Sequence, residues 1–364
     1  MVIKFIRRKR NMILASIFFF YIGCGITLSF LRIECTNLSS SEDSKLSGPE
    51  HDENVEYAVM VLTGPDNEVR RDVIRMTWAK FVSNIFVENG ERLYKWNHTW
   101  IKKNNGNQNF IKIYFVVGSQ GLNSETSQQL EKEASRNNDM LIFDFLDSYK
   151  NLAHKVLIAI KWANENLKQL KYLIKCDDDS FVRIDLIVKD LEAFAPEMNA
   201  KQLSRYVTYK NNLLTYNGLY WGYFDGRAKT FSKGKWQEKD WFLCDTYLPY
   251  ALGGGYVISQ SIVKFVADNA DFLSLYNSED VSMGVWTAAL RRINRVHDIR
   301  FDTEWKSRGC NSHMLVRHKQ TPSDMFQMYK ALVLSSGDIL CKTETEEKQS
   351  YSYNWNVLPS KCCH

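Results

Sequence analysis

The chain has 364 residues, 45% of them hydrophobic and 24% charged, which suits one large α/β domain and excludes a disordered or fibrous chain. Five of its 47 basic residues lie in the first ten positions, leaving 42 against 42 acidic residues over the rest; the net charge of +5 therefore belongs to a tail and gives no ground for nucleic-acid binding. None of the eight cysteines has a neighbour at zinc-ligand spacing, which excludes a zinc finger or ribbon.

In chain order, residues 1–11 read as a cytoplasmic tail. Met12 to Leu31 carry no charge; as a helix such a run of about 20 residues spans the roughly 30 Å of a bilayer core. The basic flank before it and the lack of a small-residue cleavage site after it predict a single-pass anchor with the rest of the chain lumenal, removal as a signal peptide being the alternative. Residues 32–55, rich in Ser, Glu, Asp and Asn with Gly48-Pro49, read as a flexible stem. Asn37 and Asn97 open Asn-x-Ser/Thr glycosylation acceptors. Seven cysteines lie outside the anchor. The number is odd, so at least one is free or bridges to a second chain, and Cys35 on the stem is the candidate link in a homodimer.

The globular domain, residues 56–364, opens with a buried-strand run from Tyr57 to Thr63 that stops at Gly64-Pro65. A helix follows, with Val69, Val73, Ile74 and Trp78 on one side. Arg71 and Arg75 stand four apart on it, either as a solvated basic stripe or as a clamp for a phosphorylated ligand. Phe81 to Asn109 reads as a long surface loop. Strand, helix and strand are expected at Ile111–Gly118, Ser124–Arg136 and Met140–Phe145, and Asn151–Leu170 is a helix with Leu152, Val156, Ile160 and Ala163 on one flank. It leads into a fourth strand at Tyr172. Strands alternating with helices in this way predict a mostly parallel central sheet flanked by helices.

That fourth strand ends in Asp177, Asp178 and Asp179. Three adjacent carboxylates repel one another, which points to a hard divalent cation at the strand's carboxyl end; a solvated turn with Asp179 capping the next helix is the plainer alternative. Between Tyr216 and Tyr250 the chain is dense in aromatics, Trp221 among them, which suit the C–H faces of sugars or simply fill a core. Gly253, Gly254 and Gly255 allow a tight turn or close approach of backbone to a ligand. Glu279 and Asp280 stand at a helix start, where the helix dipole alone explains acids.

In order and spacing, RRDVIRMTW at 70–78, FVVG at 115–118, DFLDSYKNLAHK at 144–155, KCDDDSFV at 175–182, YLPYALGGGYVIS at 247–259 and EDVSMG at 279–284 resemble the beta-1,3-glycosyltransferase family over essentially the whole lumenal part. LYWGYFDG at 219–226 and FDTEWKSRGC at 301–310, with Trp355, Pro359 and Cys362-Cys363, are most similar to the family's galactosyltransferases of the proteoglycan linker. The resemblance implies a GT-A-type fold and a Golgi type II membrane enzyme. It also implies UDP-galactose as donor, Mn2+ as metal, and the galactose of a galactosyl-xylosyl-serine stub on a proteoglycan core protein as acceptor. Carried over residue by residue, it makes Asp177 and Asp179 the metal–nucleotide ligands, Asp178 a contact nearer the sugar or ribose, and Asp280 the base, beside Glu279. Arg71, Arg75 and Lys155 would frame the donor, Trp221, Gly254 and Gly255 would contact substrate, and His318 would add a metal or phosphate contact unless it is an ordinary surface histidine. Ala153 stands where the family usually has Thr. Other readings remain: a sister transferase moving N-acetylglucosamine or acting on another glycan, a non-catalytic lumenal glycan-binding protein, or a metal phosphohydrolase.

Overall fold

The computed structural model describes residues 54–88, 91–94, 110–193, 207–209 and 218–363. The expected tail, the anchor at 12–31, the stem with Cys35, and the acceptors Asn37 and Asn97 lie outside them. Among the described residues no helix is long and apolar enough to cross a membrane.

The first strand, β1 (Tyr57–Leu62), is buried at every position, as a parallel strand covered on both faces must be. Helix α1 (Glu68–Met76) follows and runs into a 3-10 turn at Trp78–Asn84. The stretch expected as a loop then holds a hairpin of β2 (Ile85–Glu88) and β3 (Glu91–Tyr94), because Ile-Phe-Val favours a strand inside an otherwise polar, Asn-rich sequence. Next come β4 (Ile111–Gly118), α2 (Ser124–Asn137), β5 (Met140–Phe143), α3 (Leu152–Asn166) and β6 (Tyr172–Asp177). The Asn123 side chain starts α2 by accepting the Thr126 N–H at 2.8 Å, and Asn138, left-handed at φ 53°, ends it.

Beyond the acidic triplet lie β7 (Phe181–Val182), α4 (Ile184–Ala193), β8 (Val207–Tyr209), β9 (Gly218–Phe224), β10 (Ala251–Ser259), α5 (Gln260–Asp268) and α6 (Glu279–Ala288). They are followed by β11 (Ile293–Asp298), β12 (Phe301–Asp302), β13 (Gly309–Cys310), β14 (Val316–Arg317), α7 (Pro322–Leu334) and β15 (Thr345–Glu346). Eight strands form the main sheet in the order β5-β4-β1-β6-β10-β9-β11-β8. Four of its seven pairings are parallel, so the expected mostly parallel sheet is a mixed one: β10 runs antiparallel to both β6 and β9, and β8 to β11. Reversal at β10 has a direct consequence. It lays the glycines of that strand beside the carboxyl end of β6, with Gly255 opposite Cys176.

Strand alternation sends Tyr57, Val59 and Val61 into a core shared with α1, α4 and α7, and Ala58, Met60 and Leu62 into one shared with α3, α5 and α6. The sheet is thus covered on both sides, and its strand ends are the place left for a ligand. Cys310 is bridged to Cys341 and Cys362 to Cys363; Cys176 is a buried free thiol and Cys244 an exposed one.

Candidate active site

Strands β1 and β6 finish side by side, Leu62 opposite Asp177, so the triplet emerges where the sheet ends. The three carboxylates escape mutual repulsion by taking three different environments. Asp177 accepts from Lys175 Nζ at 2.8 Å. Burial would raise its pKa, but the Lys175 charge and the His318 bond outweigh it and hold the carboxyl well below the usual range. Asp178 turns back into the protein, accepting from Thr63 Oγ1 and Asn67 Nδ2 at 2.7 Å each and from Arg70 at 3.3 Å; burial still pushes it up. Asp179 faces the His318 imidazole, with Nε2 at 3.1 Å, and the same nitrogen lies 3.4 Å from Asp177.

One oxygen each of Asp177 and Asp179 and a nitrogen of His318 lie within 4.8 Å of one another. Two carboxylates and an imidazole form a donor set suited to a hard or borderline divalent cation, and one able to leave coordination positions for a diphosphate. Local packing keeps the imidazole there. A Cβ on Gly254 would come within 2.6 Å of the His318 ring, and one on Gly255 within 2.9 Å of Val316, so Gly254 lets the ring approach and Gly255 lets β14 pack beside it. The buried Nδ1 of His318 has no partner among the described residues. Burial would lower this histidine, yet hydrogen bonds to Asp177 and Asp179 raise it to about 9. The protonated ring balances the acid pair as a cation would, and the residues fit a metal.

Lys175 ties this triad to the second acid group. Its buried ammonium bonds Asp177, the Gly253 carbonyl and Glu279 together. Next to Glu279, Asp280 accepts the N–H groups of Gly253 at 3.0 Å and Val281 at 2.8 Å. Those bonds fix the carboxylate at the start of α6. Burial, then the Glu279 charge, lift Asp280 far above an ordinary carboxylic acid. Lys175 and Glu279 are 104 positions apart in sequence, and their contact joins the two acid groups into one constellation.

Not every expected residue faces this cleft. Lys155 does stand under it, donating to the Thr63 carbonyl at 2.7 Å and to Asp147 at 2.6 Å, and supports the end of β1. Arg75 is spent elsewhere, on Glu133 of α2 and on Asp139, whereas Arg71 bonds Glu133 and also donates to the Gly64 and Pro65 carbonyls, at 2.6 and 3.1 Å, just past the end of β1. The guanidinium that reaches the triplet is that of Arg70, 3.3 Å from Asp178 and 3.7 Å from Asp179. Trp221 is fully buried in β9, packed on Phe301 and donating to Asp298 at 3.0 Å; it is core and offers no face to a sugar. Two functional side chains escaped the sequence. Lys175 reads there as a strand residue with an apolar stem. Tyr149, within the SYKNL run, bonds Ser278 and is pushed far above its ordinary pKa by burial and by Asp280, Glu279 and Asp177, so its phenol remains a donor.

A strand-end acid pair with an imidazole beside it, one lysine away from a second pair of carboxylates, is an arrangement in an α/β protein suited to holding an anionic ligand through a cation. Residues 94–298, more than half of the chain, match the family described as Galactosyltransferase, and the chain belongs to that family and is a glycosyltransferase. It is 37% identical over 342 residues to Beta-1,3-galactosyltransferase 6 of Mus musculus, covering 93% of this chain and 91% of that protein. It is 33% identical over 163 residues to UDP-GalNAc:beta-1,3-N-acetylgalactosaminyltransferase 2 of Danio rerio, over 45% of this chain and 29% of that one. The crystal structure of galactosyltransferase LgtC with donor and acceptor sugar analogs aligns over 63% of this chain and 70% of its own at 10% identity and a TM-score of 0.30, too slight a likeness to argue from. The matched residues contain the triplet, the glycines and Asp280, and stop short of His318.

Proposed function

We propose that this chain is an inverting, metal-dependent β-1,3-galactosyltransferase of GT-A type. It takes galactose from UDP-galactose and places it on the galactose of a galactosyl-xylosyl-serine stub, in the linker between glycosaminoglycan and core protein. The observation that supports the reading is the Lys175 ammonium, which binds Asp177 and Glu279 at once and so ties the end of β6 to the helix start that carries Asp280. Likeness to a mouse beta-1,3-galactosyltransferase over nearly the full length of both chains supports the donor and the linkage. The LYWGYFDG and FDTEWKSRGC runs support the linker acceptor.

In this reading Asp177, Asp179 and His318 would hold Mn2+, which would supply positive charge against a departing diphosphate. Arg70 adds a cation on the Asp178 side, where phosphate oxygens would lie. Asp280 accepts the proton of the acceptor's 3-hydroxyl as that oxygen bonds to the anomeric carbon and the bond to UDP breaks. Attack opposite the leaving group turns an α-linked donor into a β-linked product, by the geometry that distinguishes inverting sugar enzymes. A carboxylate with a raised pKa is the stronger base, and the Gly253 and Val281 N–H groups keep it aimed. The 12–31 segment anchors the enzyme in the Golgi membrane with the site in the lumen, where Asn97 would be glycosylated.

The test is incubation of the purified chain with UDP-galactose, Mn2+ and a galactosyl-xyloside, followed by linkage analysis. A β-1,3-linked digalactosyl product is expected; transfer of a different sugar, or to a different position, removes the reading. Asp280→Asn is expected to retain UDP affinity and lose about 10²-fold or more in kcat, the usual worth of a general base.

A further inference from the structure

A segment outside the machinery just described runs past both acid groups. Residues 226–247 leave β9 and return to β10, and they are fastened on two sides. On the base side, Glu238 accepts the N–H groups of Asn277 and Ser278 at 2.9 Å each, and Asn277 Nδ2 donates to the Lys235 carbonyl at 2.8 Å. Ser278 precedes Glu279 and Asp280, so the strap is tied to the start of α6. From the strap, the Lys235 ammonium lies 4.1 Å from the centre of the Tyr149 ring. On the metal side, the Trp236 indole meets that of Trp305 at 5.2 Å and 81°. Lys319, adjoining His318, places its ammonium 3.0 Å from the centre of the Trp305 ring and donates to the Trp305 carbonyl at 3.3 Å.

Two perpendicular indoles from separate segments therefore link the strap, fastened at the start of α6, to the residue that follows His318. Trp305 is 68% exposed. So large an apolar side chain left in water, held by a cation–π contact and an edge contact, is informative where a scattered surface leucine is not. The nearby polar groups are the lysines and the Tyr149 phenol, while the buried aromatics of β9 are out of reach.

We propose that Trp236 and Trp305 form the platform on which the acceptor's terminal galactose stacks, and that the strap carrying Trp236 makes acceptor recognition depend on this corner. This deepens the acceptor reading above and rests on it. A β-galactoside presents a patch of C–H bonds on one face and hydroxyls around its edge. Stacked on an indole, it buries the former and leaves the edge free to meet Asp280. The Lys319 contact orients the Trp305 ring, and the left-handed backbone of Lys319, φ 59°, turns that lysine toward it directly after the metal-side histidine.

The experiment uses the full chain with Trp305→Ala, Trp305→Phe and Trp236→Ala. Trp305→Ala is expected to raise the KM for a galactosyl-xyloside about tenfold while the affinity for UDP with Mn2+, measured by calorimetry, stays within twofold; Trp305→Phe is expected to restore most of the loss. An unchanged acceptor KM overturns the platform, and so does a fall in UDP affinity by the same factor. Ligand-observed NMR of methyl β-galactoside needs no transfer and separates this inference from the proposed activity. Loss of its binding signal in Trp305→Ala supports the platform even where linker transfer fails; an equal signal in wild type and variant overturns it.

Discussion

Glu279 and Asp280 are adjacent carboxylates with unequal tasks, and the inequality is set by their partners. Glu279 is paired with Lys175, whereas among the described residues Asp280 accepts from backbone N–H groups, and after burial the Glu279 charge is the chief reason its pKa is raised. A base must be deprotonated to work, so with Asp280 in the proposed role the acidic limb of the rate profile is expected to follow its titration. Glu279→Gln removes the repelling charge, lowers the Asp280 pKa and is expected to shift that limb to lower pH; a limb that does not move separates the two residues. His318 titrates in the other sense. Near pH 7 its ring, raised to about 9, is protonated, and a metal must displace that proton to use the nitrogen. Mn2+ affinity in the presence of UDP is therefore expected to tighten by about tenfold per pH unit up to about 9. Titration calorimetry at pH 7 and 8 checks it, and His318→Ala should flatten the slope.

At the scale of elements, α1 shows what a spacing rule reveals and where it stops. Arg71 and Arg75 share a helix face, as their four-residue separation requires, but the rule is silent on which face looks at the cleft. The apolar stripe fixes it only in part, because Arg71 is itself buried in that stripe, its charge met by Glu133 on α2. Arg71→Met leaves Glu133 with Arg75 as its partner at 2.7 Å but takes a donor from the Gly64 and Pro65 carbonyls. It is thus expected to cost about 1–3 kcal/mol of stability and leave UDP affinity within twofold, read by denaturant melts beside calorimetry; a selective loss of UDP affinity would return Arg71 to the donor site. The strands β1 and β6 were legible because uninterrupted burial leaves uninterrupted apolar sequence. The same logic applied to LYWGYF would have placed Trp221 in the core, since every residue of β9 is buried. The hairpin β2–β3 was hidden by polar neighbours, and the reversal of β10 left no local trace because pairing direction is decided by contacts distant in sequence.

Across the whole molecule, the acids and the glycines were readable as composition at strand and helix ends, while the lysine that joins them was not, since one buried lysine resembles any strand residue whose stem is apolar. The disulfide Cys310–Cys341 closes a loop of 31 residues that contains His318 and α7. Its replacement by alanines is expected to cost about 3–4 kcal/mol, seen as a lower melting temperature, with metal affinity retained below the transition; an unchanged melting temperature would make the bridge incidental.

Residues 351–363 fill space that the sheet leaves open. The Tyr351 hydroxyl donates to the Phe224 carbonyl 127 positions away, its ring lies against His297, and Cys362 and Cys363 are buried in the same core as Phe224. A ribosome delivers β9 long before it delivers that plug. During synthesis the far half of the sheet must wait with an open flank, and a stop codon shortly before residue 351 would release a nascent chain holding both acid groups and no finished interior.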